Sequence, residues 1–114
     1  MLTMQKAIYS NEPGRLVNIG GGAYYYNWDI AAVESEENGT QYECNQVKVF
    51  APLTRNKVKE AVIKALWGNG VEEKLINDYN AAVLGLADES KIAAYRAFLT
   101  ERERVKALVE EVID

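Results

Sequence analysis

The segment FAPLT, residues 50–54, separates two parts of the chain that have different hydrophobic periodicities. Before it, apolar and polar residues alternate between turn-forming residues, which is typical of strands; after it, apolar residues recur every three or four positions, which is typical of helices. Strands followed by helices predict an α+β fold. At 114 residues the chain is the size of one domain, 1–114, with a β part over 1–51 and a helical part over 54–114.

The dipeptide Asn38-Gly39 is the clearest turn signal in the β part. A type I′ turn needs positive φ at both central residues, which Asn and Gly tolerate, so the hairpin is predicted to turn here with Glu37 opposite Thr40. One face would then hold the pairs Trp28–Val49, Ile30–Val47 and Tyr26–Ala51. The other face would hold Asp29–Lys48, Ala31–Gln46 and Val33–Cys44, with Glu34 opposite Glu43 near the tip. This register separates apolar from polar side chains and matches an acid to a base.

Two further segments, 3–9 and 15–19, are predicted to add strands, with a turn over 11–14 between them. A two-stranded ribbon is marginal alone. We therefore expect a small antiparallel sheet of three or four strands.

The helical part predicts three helices. Pro52 disfavours helix at Ala51, and Thr54 is a favourable N-cap for a first helix ending near Trp67. Its predicted buried face consists of Val58, Ala61, Val62, Ala65 and Leu66.

The second helix is predicted to follow the GNG segment, with Asn69 as its cap and Glu72 completing a capping box. Its predicted apolar face consists of Leu75, Ile76, Tyr79, Ala82, Val83 and Leu86. Gly85 is expected to end it, and Asp88 to cap a third helix that runs to the C-terminus.

The absence of histidine excludes the most familiar catalytic and metal sites. Ser-His-Asp and Cys-His chemistry are impossible, and the commonest transition-metal ligand is missing. Cys44 is the single cysteine, so it cannot form an intrachain disulfide; we expect a buried, inert thiol in a reducing compartment. Carboxylates could in principle bind a cation or act as acid and base, but no loop has the alternating Asp/Asn pattern of a calcium site. The sequence therefore predicts no enzyme activity, no metal and no cofactor.

Charge and hydropathy limit the partners. The net charge is −4, with no basic cluster that would suit a nucleic acid backbone. No apolar run approaches the roughly 18 residues of a membrane span, and the first ten residues have no signal-peptide core. We expect a cytoplasmic or virion-associated protein that binds neither nucleic acid nor membrane.

Glycines 20–22 allow two interpretations. They could cradle a phosphate, but the sequence continues into a strand instead of a helix, which favours a corner or bulge.

The aromatic run that follows also has two interpretations. In the predicted register Tyr24, Tyr26 and Trp28 share the inner face and only Tyr25 points outward, which favours core packing; an uncovered sheet would make the same strip a binding surface.

The last helix carries a heptad-like stripe containing one arginine: Tyr95, Phe98, Arg102, Val105, Val109 and Val112. Arg102 is expected either to pair with a carboxylate, for which Asp78 is a candidate, or to extend into solvent. Residues 101–114 are predicted to pack on the first two helices or on the same segment of a second copy. The predicted protein interface consists of Tyr25, Arg102, Val105, Val109 and Val112.

The stretch LINDYN, residues 75–80, places polar residues beside that stripe. Asn77, Asp78 and Asn80 are predicted to form a structural polar cluster with Arg102, because asparagine is unfavourable inside helices unless it makes specific hydrogen bonds. A catalytic interpretation would need a second titrating group of complementary role, and the sequence indicates none.

Several of these motifs resemble a group of small proteins encoded in prophages of gut anaerobes, usually among tail and structural genes. The matching features lie within residues 41–112: Val47 and Val49 before a helix, Ala61 to Ala65 with Trp67, Leu75 to Asn80, and Tyr95 with Phe98. The last helix is also similar to the C-terminal part of tail-fibre assembly chaperones. The resemblance supplies a phage context but no activity. The heptad-patterned last helix, a small sheet with open edges, the absence of histidine and an acidic surface favour a non-enzymatic, phage-derived structural or assembly protein that binds another protein or itself. The alternative is a small host-encoded module that binds a ligand or peptide on the aromatic face around Tyr24 to Trp28, although a small-molecule ligand is not expected.

Overall fold

The computed structural model describes residues 5–113, which form four strands followed by three helices. The strands are β1 (Gln5–Tyr9), β2 (Leu16–Gly20), β3 (Ala23–Ser35) and β4 (Gly39–Phe50). The helices are α1 (Arg55–Trp67), α2 (Val71–Val83) and α3 (Ser90–Glu110). The predicted α+β fold is confirmed, although residues 3 and 4 of the first predicted strand lie outside the described residues.

The sheet is antiparallel and has the order β1-β4-β3-β2. The two N-terminal strands therefore lie at opposite edges, and residues 10–15 cross from one edge to the other. Asn27 of β3 binds this crossing segment twice: its backbone N–H donates to Arg15 O at 2.8 Å, and its side-chain Nδ2 donates to Gly14 O at 2.9 Å. These bonds fix β2 beside the first part of β3.

The β3–β4 hairpin has a different turn from the predicted one. Ser35 pairs with Gly39, so residues 36–38 form a three-residue turn, and positive φ occurs at Gly39 (71°) but not at Asn38. The prediction of a type I′ turn centred on Asn38-Gly39 is therefore wrong. The two-residue turn with two positive φ values lies instead in the β2–β3 hairpin, at Gly21 (64°) and Gly22 (75°). The glycine run is thus a corner, as predicted.

A β-bulge in β3 changes the register further. Asp29 and Ile30 together lie opposite one residue of β4, between the pairs Trp28–Asn45 and Ala31–Glu43. The predicted pairs are consequently wrong: Trp28 faces Asn45, not Val49, and Lys48 faces Tyr25, not Asp29. The other observed pairs include Tyr26–Val47, Asn27–Gln46, Ala32–Tyr42, Val33–Gln41 and Glu34–Thr40.

Asp29 occupies an unusual backbone conformation at this bulge. Its φ is +53°, in the left-handed region that residues other than Gly, Asn and Asp seldom adopt. Its carboxylate accepts two hydrogen bonds from Arg104 of α3, at 2.8 and 2.9 Å, in place of the predicted ion pair with Lys48. The bulge therefore directs the carboxylate of Asp29 towards α3.

Asp29→Asn should slightly lower the free energy of unfolding, and only at pH values above the ordinary pKa of an aspartate. Hydrogen bonds from Arg104 hold the pKa of Asp29 below its ordinary value of 3.8. A depressed carboxyl pKa stabilises the fold above that ordinary value, and this contribution is lost as pH falls through the folded-state pKa. Since both side chains are partly exposed, we expect a difference of less than about 1 kcal/mol at pH 7. Asn tolerates positive φ, so the variant removes the charge without straining the bulge.

Chemical denaturation at several pH values measures this effect. Glu37→Gln, which removes a carboxylate from the exposed turn, is the control and should change stability little at any pH. A difference between wild type and Asp29→Asn that stays constant down to pH 2 would contradict the role of the ion pair.

The helices begin and end at residues that only partly match the predictions. Thr54 caps α1 as predicted, with its hydroxyl accepting from Lys57 N at 3.1 Å. Asn69 does not cap α2; Gly70 takes that position with φ 81° and supplies no side chain. Gly85 ends α2 as predicted, and Asp88 Oδ1 accepts from Ser90 N at 3.1 Å at the start of α3.

The core lies between the sheet, α1 and the C-terminal half of α3. Its buried members are Tyr26, Trp28, Val47, Val49, Val58, Ala61, Val62, Val105, Val109 and Ile113. The apolar face predicted for α1 is confirmed. The terminal segment is packed as predicted, but on the sheet and α1, not on α1 and α2.

The second helix lies outside this core. Among the described residues, Ala82 is the one buried residue of α2. The main packing partner of α2 is α3. The molecule is accordingly elongated, measuring 51 × 39 × 25 Å. Its radius of gyration is 17.1 Å, whereas a compact domain of this length would have about 13 Å. The helical hairpin of α2 and the first half of α3 therefore projects from the body.

Candidate functional site

The valines predicted to form an interface on α3 belong to the protein's own core. Val105 and Val109 are fully buried against the sheet and α1, and Val112 packs against the same cluster. Tyr25 lies on the opposite face of the sheet from Tyr26 and is half-buried. The interface predicted from the heptad-like stripe is thus corrected: its apolar residues stabilise the fold.

The predicted polar cluster does not assemble around Arg102. Asp78 accepts a hydrogen bond from Lys74 at 2.8 Å and lies 3.8 Å from Lys91, and the Lys74 bond lowers the pKa of its carboxyl group. Arg102 instead reaches its neighbour Glu103 at 3.6 Å. Asn77 and Asn80 are exposed on α2.

Arg102 lines a cleft of about 380 Å³ where the three helices meet. Its floor is an edge-to-face pair of Trp67 and Phe98, with ring centroids 4.9 Å apart. Three glutamates and two cations surround this floor: Glu60, Glu72, Glu73, Lys64 and Arg102. This mixture of charges favours neither an anion nor a cation.

The aromatic strip of β3 is covered. Tyr26 and Trp28 are 0% and 2% exposed and stack with ring centroids 5.8 Å apart, while Tyr24 packs against the core. The core interpretation is confirmed, and the aromatic face is not a surface. The thiol of Cys44 is also buried, which raises its pKa and makes it a poor nucleophile.

The end of the helical hairpin is the most exposed apolar surface. Val83, Leu84 and Leu86 are 58%, 73% and 80% exposed; we call these three residues the helical tip. Val83 and Leu86 belong to the apolar face predicted for the second helix, but they are exposed, because α3 packs on one side of α2 and no further layer among the described residues covers the rest of that face. Residues 71–89, which lead to and surround the tip, carry five carboxylates against one lysine. The tip is thus apolar with an acidic surround.

A second cleft lies where the crossing segment meets the bulge of β3. It has a volume of about 390 Å³ and is lined by Glu12, Pro13, Gly14, Arg15, Trp28, Asp29, Ile30 and Leu108; we call it the Arg15 cleft. This cleft was not predicted, because nothing in the sequence shows that residues 10–15 cross the sheet.

Three donor groups lie at this cleft or directly behind it. Arg15 Nη2 donates to Leu108 O at 2.7 Å and lies 3.0 Å from Glu111. The indole Nε1 of Trp28 and the hydroxyl of Tyr26 are buried and have no hydrogen-bond partner among the described residues. Burial also raises the pKa of Tyr26, so its hydroxyl keeps its proton. Unpaired buried donors of this kind are uncommon and costly.

Two kinds of feature are absent from the described residues, 5–113. No three side chains of Cys, Asp or Glu gather as a set of metal ligands. No described helix has both the length and the apolar character required to cross a bilayer.

Comparison with known proteins identifies no relative: no family model matches the chain, and no curated protein or solved structure matches it significantly.

Proposed function

We propose that the protein is a non-enzymatic binding factor that uses the helical tip to hold another protein during assembly. The observation that carries this proposal is the exposure of Val83, Leu84 and Leu86 on a projecting helical hairpin. Large apolar side chains clustered at one exposed point are typical of protein-binding surfaces. The sequence resemblance to prophage proteins supports a role among phage tail components.

The charges around the tip favour a partner over a second copy of this chain. Residues 71–89 carry a net charge of −4. Two copies meeting tip to tip would bring these acidic segments together, which opposes association. A partner that offers an apolar helix or groove flanked by Lys and Arg would complement both the apolar tip and its acidic surround.

The alternative is a ligand-binding module that uses the aromatic face of the sheet, but helices cover this face. Tyr26 and Trp28 lie beneath α1 and α3, so a ligand could cover this face only by separating those helices from the sheet. The one part of Trp28 that borders an open surface is the part that lines the Arg15 cleft.

Leu84→Glu with Leu86→Glu should weaken partner binding by at least about tenfold, because two apolar contacts are replaced by charges that repel. The test is co-expression with each structural protein encoded beside this gene, followed by titration of the purified complex. Ile8→Glu is the matched control, since Ile8 is 61% exposed but lies on β1. A complex that tolerates the tip substitutions, or the failure of every neighbouring protein to bind, would refute the proposal; a dimer that dissociates on tip substitution would show that a second copy is the partner.

A further inference from the structure

One edge of β3 extends beyond the strand beside it. β2 pairs with β3 from Ala23 to Tyr26, and the last bond on that side joins Asn27 N to Arg15 O. Residues 31–35 continue in regular pairs with β4, but among residues 5–113 no strand lies on their other side. We call residues 31–35 the free strand edge.

This edge lacks the usual protection against added strands. Natural edge strands are often blocked by lysine, proline or a bulge. The segment IAAVES, residues 30–35, contains neither Lys nor Pro, and the bulge lies before the edge, not within it. Residues 31–34 are exposed, and two of them are small alanines. A further strand could therefore pair here.

The Arg15 cleft lies at the end of the free strand edge. Trp28, Asp29 and Ile30, which line the cleft, directly precede the edge in β3. Arg15 is the residue before β2, so a strand continuing the line of β2 along the free edge would meet it. The edge and the cleft are thus continuous.

Strand direction determines which end of an added peptide reaches Arg15. β2 is antiparallel to β3 and begins at Leu16, opposite Tyr26. A peptide that continued the line of β2 in the same direction would begin near Ser35 and finish at Arg15. Its C-terminus, and not its N-terminus, would lie in the cleft.

We propose that the free strand edge and the Arg15 cleft together bind the C-terminal segment of another polypeptide, about seven residues long, as an added antiparallel strand that ends in a free carboxylate. Strand addition gives affinity through backbone hydrogen bonds, and capture of the carboxylate gives specificity. This site is separate from the helical tip and does not depend on the function proposed for it.

The chemistry of the cleft suits a carboxylate. The hydrogen bond of Arg15 to Leu108 O and its ion pair with Glu111 both use Nη2. Its guanidinium also acts on the hydroxyl of Tyr26, and a ligand carboxylate would bind the remaining N–H donors. The ring of Trp28 lines the cleft, and its Nε1–H is buried and unpaired, so the NMR signal of this group reports on occupancy of the cleft. The negative charge of Asp29 is balanced by Arg104, which donates two hydrogen bonds to it. Glu12 is exposed, so solvent ions screen its repulsion of a ligand carboxylate.

The walls of the cleft suit an apolar last residue. Pro13, Ile30 and Leu108 line it together with the ring of Trp28. A Val, Leu, Ile or Phe side chain preceding the carboxylate would contact these groups and remove apolar surface from water.

The test uses two pools of N-acetylated heptapeptides that end in Val, Leu, Ile or Phe, one with free carboxylates and the other with C-terminal amides. Amide and indole NMR shifts of the labelled protein report binding. The acid pool should move the signals of Trp28 Nε1–H, Arg15 and residues 31–35, and the amide pool should bind about tenfold more weakly, because a charge-assisted hydrogen bond is lost. Equal response to both pools, response elsewhere, or no response at millimolar concentration would overturn the proposal.

Two variants and one small probe sharpen the result. Arg15→Met should reduce the response to the acid pool to that of the amide pool, whereas Glu111→Gln should preserve or strengthen binding, because it removes the carboxylate that competes for Arg15. Unchanged binding by Arg15→Met with an otherwise native spectrum would refute the role of Arg15. Acetate that shifts the Trp28 indole as strongly as the peptides, with no response at residues 31–35, would refute strand addition. The tip variant Leu84→Glu/Leu86→Glu should bind the acid pool normally, so the two proposals can fail independently.

Discussion

Deletion of residues 101–114 is expected to abolish cooperative folding. Val105, Val109 and Ile113 are buried in the core, and each contributes on the order of 1.5–3 kcal/mol through burial. Their sum is comparable with the entire stability of a small domain, which is about 5–15 kcal/mol. The deletion also removes the carbonyl of Leu108 that accepts from Arg15, and that of Ile113, which accepts from Arg55 Nε at 2.7 Å. Circular dichroism melting and tryptophan emission would measure the loss.

A pair of single substitutions separates burial from chain length. Val109→Ala removes two methyl groups from a fully buried position and should cost about 2 kcal/mol. Val83→Ala makes the same chemical change at the exposed helical tip and should alter stability by less than about 0.5 kcal/mol. Equal effects of the two substitutions, or a truncated protein that melts at the wild-type temperature, would show that the apolar stripe of α3 is not part of the core.

The faces of β3 before its bulge, and of the β4 residues that pair with it, were predictable although their register was not. The predicted pairing of Tyr26 with Ala51 differs from the observed pairing with Val47 by four residues. Side chains alternate with a period of two, so this even shift leaves the residues of β3 before the bulge on their predicted face. This is why Tyr26, Trp28, Val47 and Val49 are buried together as expected. Beyond the bulge the shift is three residues, with Ala31 opposite Glu43 and not Gln46, so residues 31–35 take the opposite face from the predicted one.

The error came from two local features that alternation does not specify. A three-residue turn replaced the two-residue turn, and a bulge at Asp29 added one residue to β3. Asn-Gly favours a type I′ turn, but the same glycine also suits the left-handed position that closes a three-residue turn. The bulge places Asp29 in contact with Arg104, a residue far away in the sequence, and alternation within β3 does not reveal such a contact.

The candidate sites were harder to predict because they depend on which surfaces meet. The apolar pattern of α2 indicates a helix with one apolar side, but the pattern does not say whether a second layer covers it. The Arg15 cleft depends on a segment that crosses the sheet, and strand order is not encoded in the periodicity of any one strand. Local patterns therefore identified the elements, while their arrangement determined the surfaces.

The crossing segment is fixed by a buried polar network on the sheet face opposite the helices. Asn27 and Gln46 are both buried, and Gln46 Nε2 donates to Asn27 Oδ1 at 3.0 Å and to the hydroxyl of Tyr9 at 2.7 Å. Gln46 Oε1 accepts from Gln5 at 2.6 Å, and Asn27 Nδ2 donates to Gly14 O at 2.9 Å. These bonds connect both edges of the sheet to its two central strands.

Asn27→Ala should therefore lower the free energy of unfolding by about 2–3 kcal/mol, because the buried amide of Gln46 loses an acceptor and a cavity replaces the side chain. It should also increase hydrogen exchange in residues 10–15, since their side-chain anchor on β3 is gone. Asn18→Ala is the matched control: Asn18 is exposed, and its side chain accepts a single local bond from Gly20 N at 2.9 Å. That variant should lose less than about 1 kcal/mol and leave exchange in the crossing segment unchanged. Denaturant titration and amide exchange of both variants provide the measurement. If the two variants lose the same stability, the crossing segment is held by its backbone bond to Asn27 alone, and the buried network is not what joins the two edges of the sheet.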